Sequence, residues 1–95
     1  MRITFDPAKR EETLRKREID FLDAKTVFAG PTYTVQDVRF AYAEDRFLTV
    51  GLLSDRMVIV VWTPIENGRR VISMRKANAR EQARYSHRLG EAGLP

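Results

Sequence analysis

The chain has 95 residues, of which 43% are hydrophobic and 32% charged, a balance that fits one globular domain over residues 1–95 and excludes a disordered chain. Its formal net charge is +4 and it contains no cysteine, which rules out disulfides, a thiolate nucleophile and cysteine metal sites. The longest apolar run, Met57 to Trp62, is too short to span a bilayer, and the opening Met1-Arg2-Ile3-Thr4-Phe5-Asp6-Pro7 is no signal peptide, so a soluble cytoplasmic protein with no membrane partner is expected.

In chain order, Ile3 and Phe5 alternate as a short strand would over Arg2 to Phe5. Asp6-Pro7 starts a helix, with Asp as cap and Pro at the first helical position, and the charged stretch to about Arg17 reads as a solvent-facing helix. Asp20 caps a second short helix. Phe21, Ala24 and Phe28 recur on its inner face, and Gly30-Pro31 stops it. Tyr33 to Tyr42 alternates loosely. Phe47 to Leu53 and Met57 to Thr63 are the strongest strand signals, joined by the polar turn Ser54-Asp55-Arg56. The second of them is apolar on both faces and should be central and covered on both sides. Glu66-Asn67-Gly68 is a hairpin turn. Strict alternation from Arg69 to Arg75 would put Arg69, Val71, Ser73 and Arg75 on one face and Arg70, Ile72 and Met74 on the other. A closing helix is expected from Ala77 to about Leu89, with Gly90 and Gly93 after it. Its apolar side looks thin, so its own domain should hold it poorly. The fold class is therefore α+β: two N-terminal helices, an antiparallel sheet of about four strands and a C-terminal helix.

Charge is unevenly placed. From Gly68 onward there are seven basic and two acidic residues, net +5; before it there are ten basic and eleven acidic, net −1. Thirteen of the seventeen basic residues are arginine, the side chain that forks onto phosphate and stacks on bases, which favours a nucleic-acid partner over a merely solvated basic face. Glu44 and Arg46, two apart, point the same way if extended; together they could act as base and phosphate clamp in RNA cleavage, or form an ordinary surface ion pair. Arg70, Ser73, Arg75 and Lys76 belong to a binding surface or to an edge strand guarded by charge. His87, the only histidine, lies on a basic helix stripe and is a poor catalyst candidate. One histidine and no cysteine make no metal constellation. Trp62 reads as core.

In order and spacing these pieces resemble the BrnT family of type II toxins over about Ile3 to Tyr85. The family's opening Asp-Pro-x-Lys appears as Asp6-Pro7-Ala8-Lys9. Its Lys-His-Gly-Ile-x-Phe-x-x-Ala segment appears as Lys16-Arg17-Glu18-Ile19-Asp20-Phe21-Leu22-Asp23-Ala24, and its Gly-Glu-x-Arg motif as Ala43-Glu44-Asp45-Arg46. Its Arg-x-Ile-Ser-x-Arg-x-Ala stretch appears as Arg70-Val71-Ile72-Ser73-Met74-Arg75-Lys76-Ala77, with Glu81 and Tyr85 in the closing helix. The resemblance implies a RelE-like fold and a metal-independent endoribonuclease, free of cofactors, that blocks translation. It also implies neutralisation by a BrnA-type antitoxin and contact with operator DNA only through that antitoxin. On this reading Glu44, Arg46, Arg70 and Arg75 are candidate catalytic residues. Lys16, Arg17, Arg69 and Lys76 are candidate RNA-binding residues, and Arg80, Arg84, Tyr85 and Arg88 candidate antitoxin-binding ones. Arg17, Glu18 and Ala43 depart from the family's His, Gly and Gly. Arginine stays protonated and cannot move a proton as histidine does, which leaves open a catalytically weak or inactive RNA- or antitoxin-binding module.

Overall fold

A computed structural model describes residues 1–91; Gly93, expected beyond the last helix, lies outside them. The order of elements is β1 (Arg2–Thr4), α1 (Pro7–Arg17), a single helical turn (Phe21–Asp23), α2 (Ala24–Ala29), β2 (Tyr33–Gln36), β3 (Phe47–Leu53), β4 (Arg56–Ile65), β5 (Gly68–Lys76) and α3 (Ala79–Tyr85). The strands form one sheet ordered β1-β5-β4-β3-β2, so β4 is central, as its two apolar faces require.

The expected antiparallel sheet of about four strands is instead a mixed sheet of five. β1 pairs in parallel with β5, Arg2 opposite Gly68 and Thr4 opposite Arg70. A three-residue strand carries no signal for its partner, and this one joins nearly opposite ends of the chain. Gly68 makes the pairing possible: a Cβ there would stand 1.9 Å from the Arg2 carbonyl oxygen. The turn before it places Asn67, not Gly68, at positive φ (62°). At the other hairpin, Ser54 and Asp55 both have positive φ (51° and 63°), the geometry of a two-residue type I′ turn.

The helices cover one face of the sheet. Phe21, Ala24 and Val27 bury there against Val58, Val60, Trp62, Val71 and Met74, and the Trp62 indole N–H donates to Thr49 Oγ1 at 2.8 Å. α1 buries no residue. Asp6 caps its start, and it reaches β5 past the end of β1, where Lys9 Nζ donates to Ile72 O (2.8 Å) and Arg17 donates to Met74 O (3.1 Å). Those two cations satisfy carbonyls that a bare edge strand would leave open to another chain.

The opposite face is covered only in part. Val50, Ile59 and Ala77 are buried there, with Leu48, Met57, Tyr85 and Leu89 packed on them. The closing helix is shorter than its sequence pattern suggests and better held. It begins at Ala79 behind a reciprocal cap in which Asn78 Oδ1 accepts from Glu81 N and Glu81 Oε1 accepts from Asn78 N. Tyr85 and Leu89 anchor it to the sheet, and Gly90 N donates to Thr32 O. Beyond Tyr85 the chain continues as a series of turns.

Candidate nucleic-acid interface

One irregularity decides which arginines share a face. Val61 pairs with Ser73, but the next residue, Trp62, pairs with Val71. Ile72 is the extra residue of a β-bulge, and the alternation expected from Arg69 to Arg75 breaks there. Val71 and Met74, expected on opposite faces, both enter the helix-covered core. Arg70, Ser73 and Arg75, expected to be divided, lie together on the open face, opposite Thr63, Val61 and Ile59 respectively.

Arg46 completes this face. It immediately precedes β3, whose first residue Phe47 pairs with Trp62, so Arg46 is level with Thr63 and Arg70. The Thr63 hydroxyl donates to Asp45 O and pins the segment there. At ordinary sheet spacings Arg46 and Arg70 are about 10 Å apart across β4, and Arg75 lies about 13 Å further along the strands. Arg70 is exposed and Arg46 half-buried, with the small polar Ser73 between Arg70 and Arg75.

The carboxylates near these cations are bound differently. Glu44 Oε1 is 3.5 Å from Arg46 Nε, and that nitrogen is buried without a hydrogen-bond partner among the described residues. The pair is loose, and the Glu44 carboxylate stays accessible. Arg75 is held fast: its two terminal nitrogens each donate to a Glu81 oxygen at 2.7 Å. This fork lowers the carboxyl pKa of Glu81 and raises the guanidinium pKa of Arg75, against burial and against the positive charge of Arg39.

The candidate RNA-binding residues fall into two places. Lys16, Arg17 and Lys76, with Arg15, Glu18, Ile19 and Arg75, line a cleft of about 600 Å³ where the C-terminus of α1 meets the end of β5. Arg69 is elsewhere, on the helix-covered side, its guanidinium 4.0 Å from the Trp62 ring centre and 4.4 Å from that of Phe28. Burial there lowers its pKa. Of the candidate antitoxin-binding residues, Arg80, Arg84 and Arg88 are exposed. Tyr85 is turned inward against Tyr33, ring centres 5.9 Å apart, and Arg88 donates to the Tyr33 hydroxyl. His87 is exposed in the turns after α3.

A polar anchor with no counterpart among the sequence-based expectations lies in the segment 37–46. The Asp37 side chain is 1% exposed and accepts from Arg39 Nε and its terminal nitrogen, both at 2.8 Å, and from the Tyr42 hydroxyl at 3.2 Å. These donors, the Arg39 fork first among them, hold its pKa down at about 2. A signal does exist in the sequence: Asp37 and Arg39 have the same two-residue spacing that singles out Glu44 and Arg46.

Among the described residues no group of three or more His, Asp or Glu could hold a metal ion, and no helix is long and apolar enough to cross a membrane. A family model described as "Ribonuclease toxin, BrnT, of type II toxin-antitoxin system" matches residues 5–81. A comparison with curated proteins gives no match.

Proposed function

The chain belongs to the BrnT family of ribonuclease toxins of type II toxin–antitoxin systems, and on that footing we propose that it cleaves single-stranded RNA on the open face of its sheet. The observation that carries this reading is the row of Arg46, Arg70 and Arg75, gathered on one face by the bulge at Ile72. Arginines spaced about 10–13 Å apart suit every second phosphate of an extended strand, and the basic cleft beside Arg17 and Lys76 continues the track around the sheet edge. The architecture is then of the RelE kind, with the sheet as floor for the substrate.

In the reaction the accessible Glu44 carboxylate takes the 2′-hydroxyl proton. The 2′-oxygen attacks phosphorus, the bond to the 5′-oxygen breaks, and that oxygen takes a proton from solvent. Arg46 and Arg70 stabilise the charge that builds on the phosphorane. No metal or cofactor is needed for these steps. Arg75 reaches phosphate through the N–H groups that Glu81 leaves free, its charge partly offset by that carboxylate. Lys16, Arg17 and Lys76 bind the flanking strand, whereas Arg69 supports the fold from the other side.

Cleavage of messenger RNA in the cytoplasm would block translation. A BrnA-type antitoxin would cover the arginine face together with Arg80, Arg84 and Arg88, meeting operator DNA on behalf of the complex. Glu44→Gln should keep the fold and RNA affinity while lowering cleavage about a hundredfold or more. Equal cleavage by the variant would leave Glu44 as an ion-pair partner of Arg46 and no more. A second reading, an RNA- or antitoxin-binding module without turnover, is favoured by Arg17: where the family has histidine, this side chain is committed to the Met74 carbonyl. Binding without cleavage by the parent protein would select it.

A further inference from the structure

Segment 37–46 turns two large apolar residues outward and one carboxylate inward. Val38 and Phe40 are 76% and 69% exposed, more than any other large hydrophobic among the described residues. Asp37 is buried instead, and it binds Arg39 and Tyr42, the neighbours in sequence of Val38 and Phe40. Backbone bonds at the base of the loop, from Asp37 N to Arg46 O and from the Thr63 hydroxyl to Asp45 O, hold it to the sheet. The exposure of Phe40 is therefore built, not the result of slack. Its ring meets Tyr42 edge to face at 5.9 Å, and the Arg46 guanidinium lies 4.2 Å from the other aromatic centre, that of Tyr42. Arg46 thus lies over the Tyr42 ring, Tyr42 meets Phe40 edge to face, and the exposed Phe40 ring is left to stack at the end of a cluster that starts at the arginine row. A cavity of about 220 Å³ opens beside it, rimmed by Gln36, Glu44 and Asp45, whose oxygens accept hydrogen bonds.

We infer that Phe40, braced edge-on by Tyr42, forms a stacking platform for one unpaired nucleobase of the RNA whose phosphates lie on Arg46 and Arg70. This deepens the nuclease reading and rests on it. An isolated apolar tip would suit a protein partner equally well, but this one is joined through Arg46 to a surface suited to phosphate, and every base has a face to stack. The acceptor rim favours bases with exocyclic amino groups. Such a platform restricts the substrate to single strands, because a paired base cannot leave its stack without cost.

The test uses the whole protein and a 2′-O-methyl oligoribonucleotide of about ten nucleotides, which binds and cannot be cleaved, beside the same sequence as a duplex. Phe40→Ala should weaken single-strand binding about tenfold, leave duplex binding unchanged and leave the salt dependence of binding unchanged, since no cation is lost. Phe40→Tyr should restore affinity. Phe40 is exposed, so both variants should unfold at the parental temperature. Unchanged single-strand affinity in Phe40→Ala, or equal losses on single strand and duplex, would overturn the platform while leaving the nuclease reading intact. A loss confined to binding of the cognate antitoxin would overturn it in favour of a protein surface. A parent protein that binds neither RNA would bring down the nuclease reading and the platform together.

Discussion

Asp37 is the one charged residue among those buried in the described part of the chain. A carboxylate held at about 2 in the fold against 3.8 as its ordinary value binds fewer protons folded than unfolded. Its contribution is therefore complete above about pH 4 and is lost as the pH falls toward 2. Because its partner Arg39 is 62% exposed, solvent screens the pair, and about 1–2 kcal/mol is a reasonable size. Asp37→Asn should lower stability by that amount at pH 7 and remove that part of the acid loss. Urea unfolding of both proteins at pH 7, 4 and 2 measures it; parallel losses in the two proteins would place the acid sensitivity elsewhere. At this scale the chemistry is half legible in the sequence. Glu44 and Arg46 stand out by spacing and do lie together. The identical spacing of Asp37 and Arg39 does not stand out, because nothing in a loosely alternating stretch announces that a carboxylate is buried.

At the scale of elements, cap chemistry places α1, and hydrophobic period places β3 and β4, nearly to the residue, since each signal is local. Pairing is not legible where it depends on distant chain. β1 finds β5 only because Gly68 offers no Cβ to the Arg2 carbonyl. Gly68→Ala puts a methyl against backbone, which cannot turn aside as a side chain can, and should cost about 3 kcal/mol or more, the upper end for overpacking. The loss should appear in the urea midpoint, with faster amide exchange at Arg2–Thr4. A change under about 0.5 kcal/mol, the scale of a neutral surface substitution, would mean that β1 adds little. The bulge is equally hidden, for no glycine or proline marks Ile72, and strict alternation therefore misassigns Arg69, Arg70 and Val71 relative to Ser73, Met74 and Arg75. The closing helix looks weakly held because Tyr85 and Leu89 fall off a single helical stripe. The turns after Tyr85 bring Leu89 back onto the sheet beside it.

Across the whole molecule, the excess charge of the last third of the chain lies partly on the open face and partly in the cleft by α1, and Glu81 tempers it at the point where the two meet. Glu81 caps α3 and neutralises Arg75 at once. Its loss should therefore move two properties in opposite directions. Glu81→Gln should lower stability by about 1–2 kcal/mol, as a partly exposed ion pair and half of a helix cap are weakened. It should also tighten RNA binding and steepen the salt slope by about one phosphate contact, as Arg75 becomes free. Fluorescence titrations at several salt concentrations beside thermal melts give both numbers; an unchanged salt slope would mean that Arg75 does not face the RNA.

The bulge at Ile72 also bears on inheritance. Loss of that one codon would make the pairing regular while Arg70, Ser73 and Arg75 keep the open face and Val71 and Met74 keep the core, because Ile72 is the extra residue. A point substitution at Arg70 removes one cation, whereas this deletion would remove only the bulge and leave the row of arginines intact. For the same reason, when relatives of this chain are aligned, a single gap between positions 71 and 73 is compatible with the same working surface, whereas a relative of equal length that lacks the bulge presents a different one.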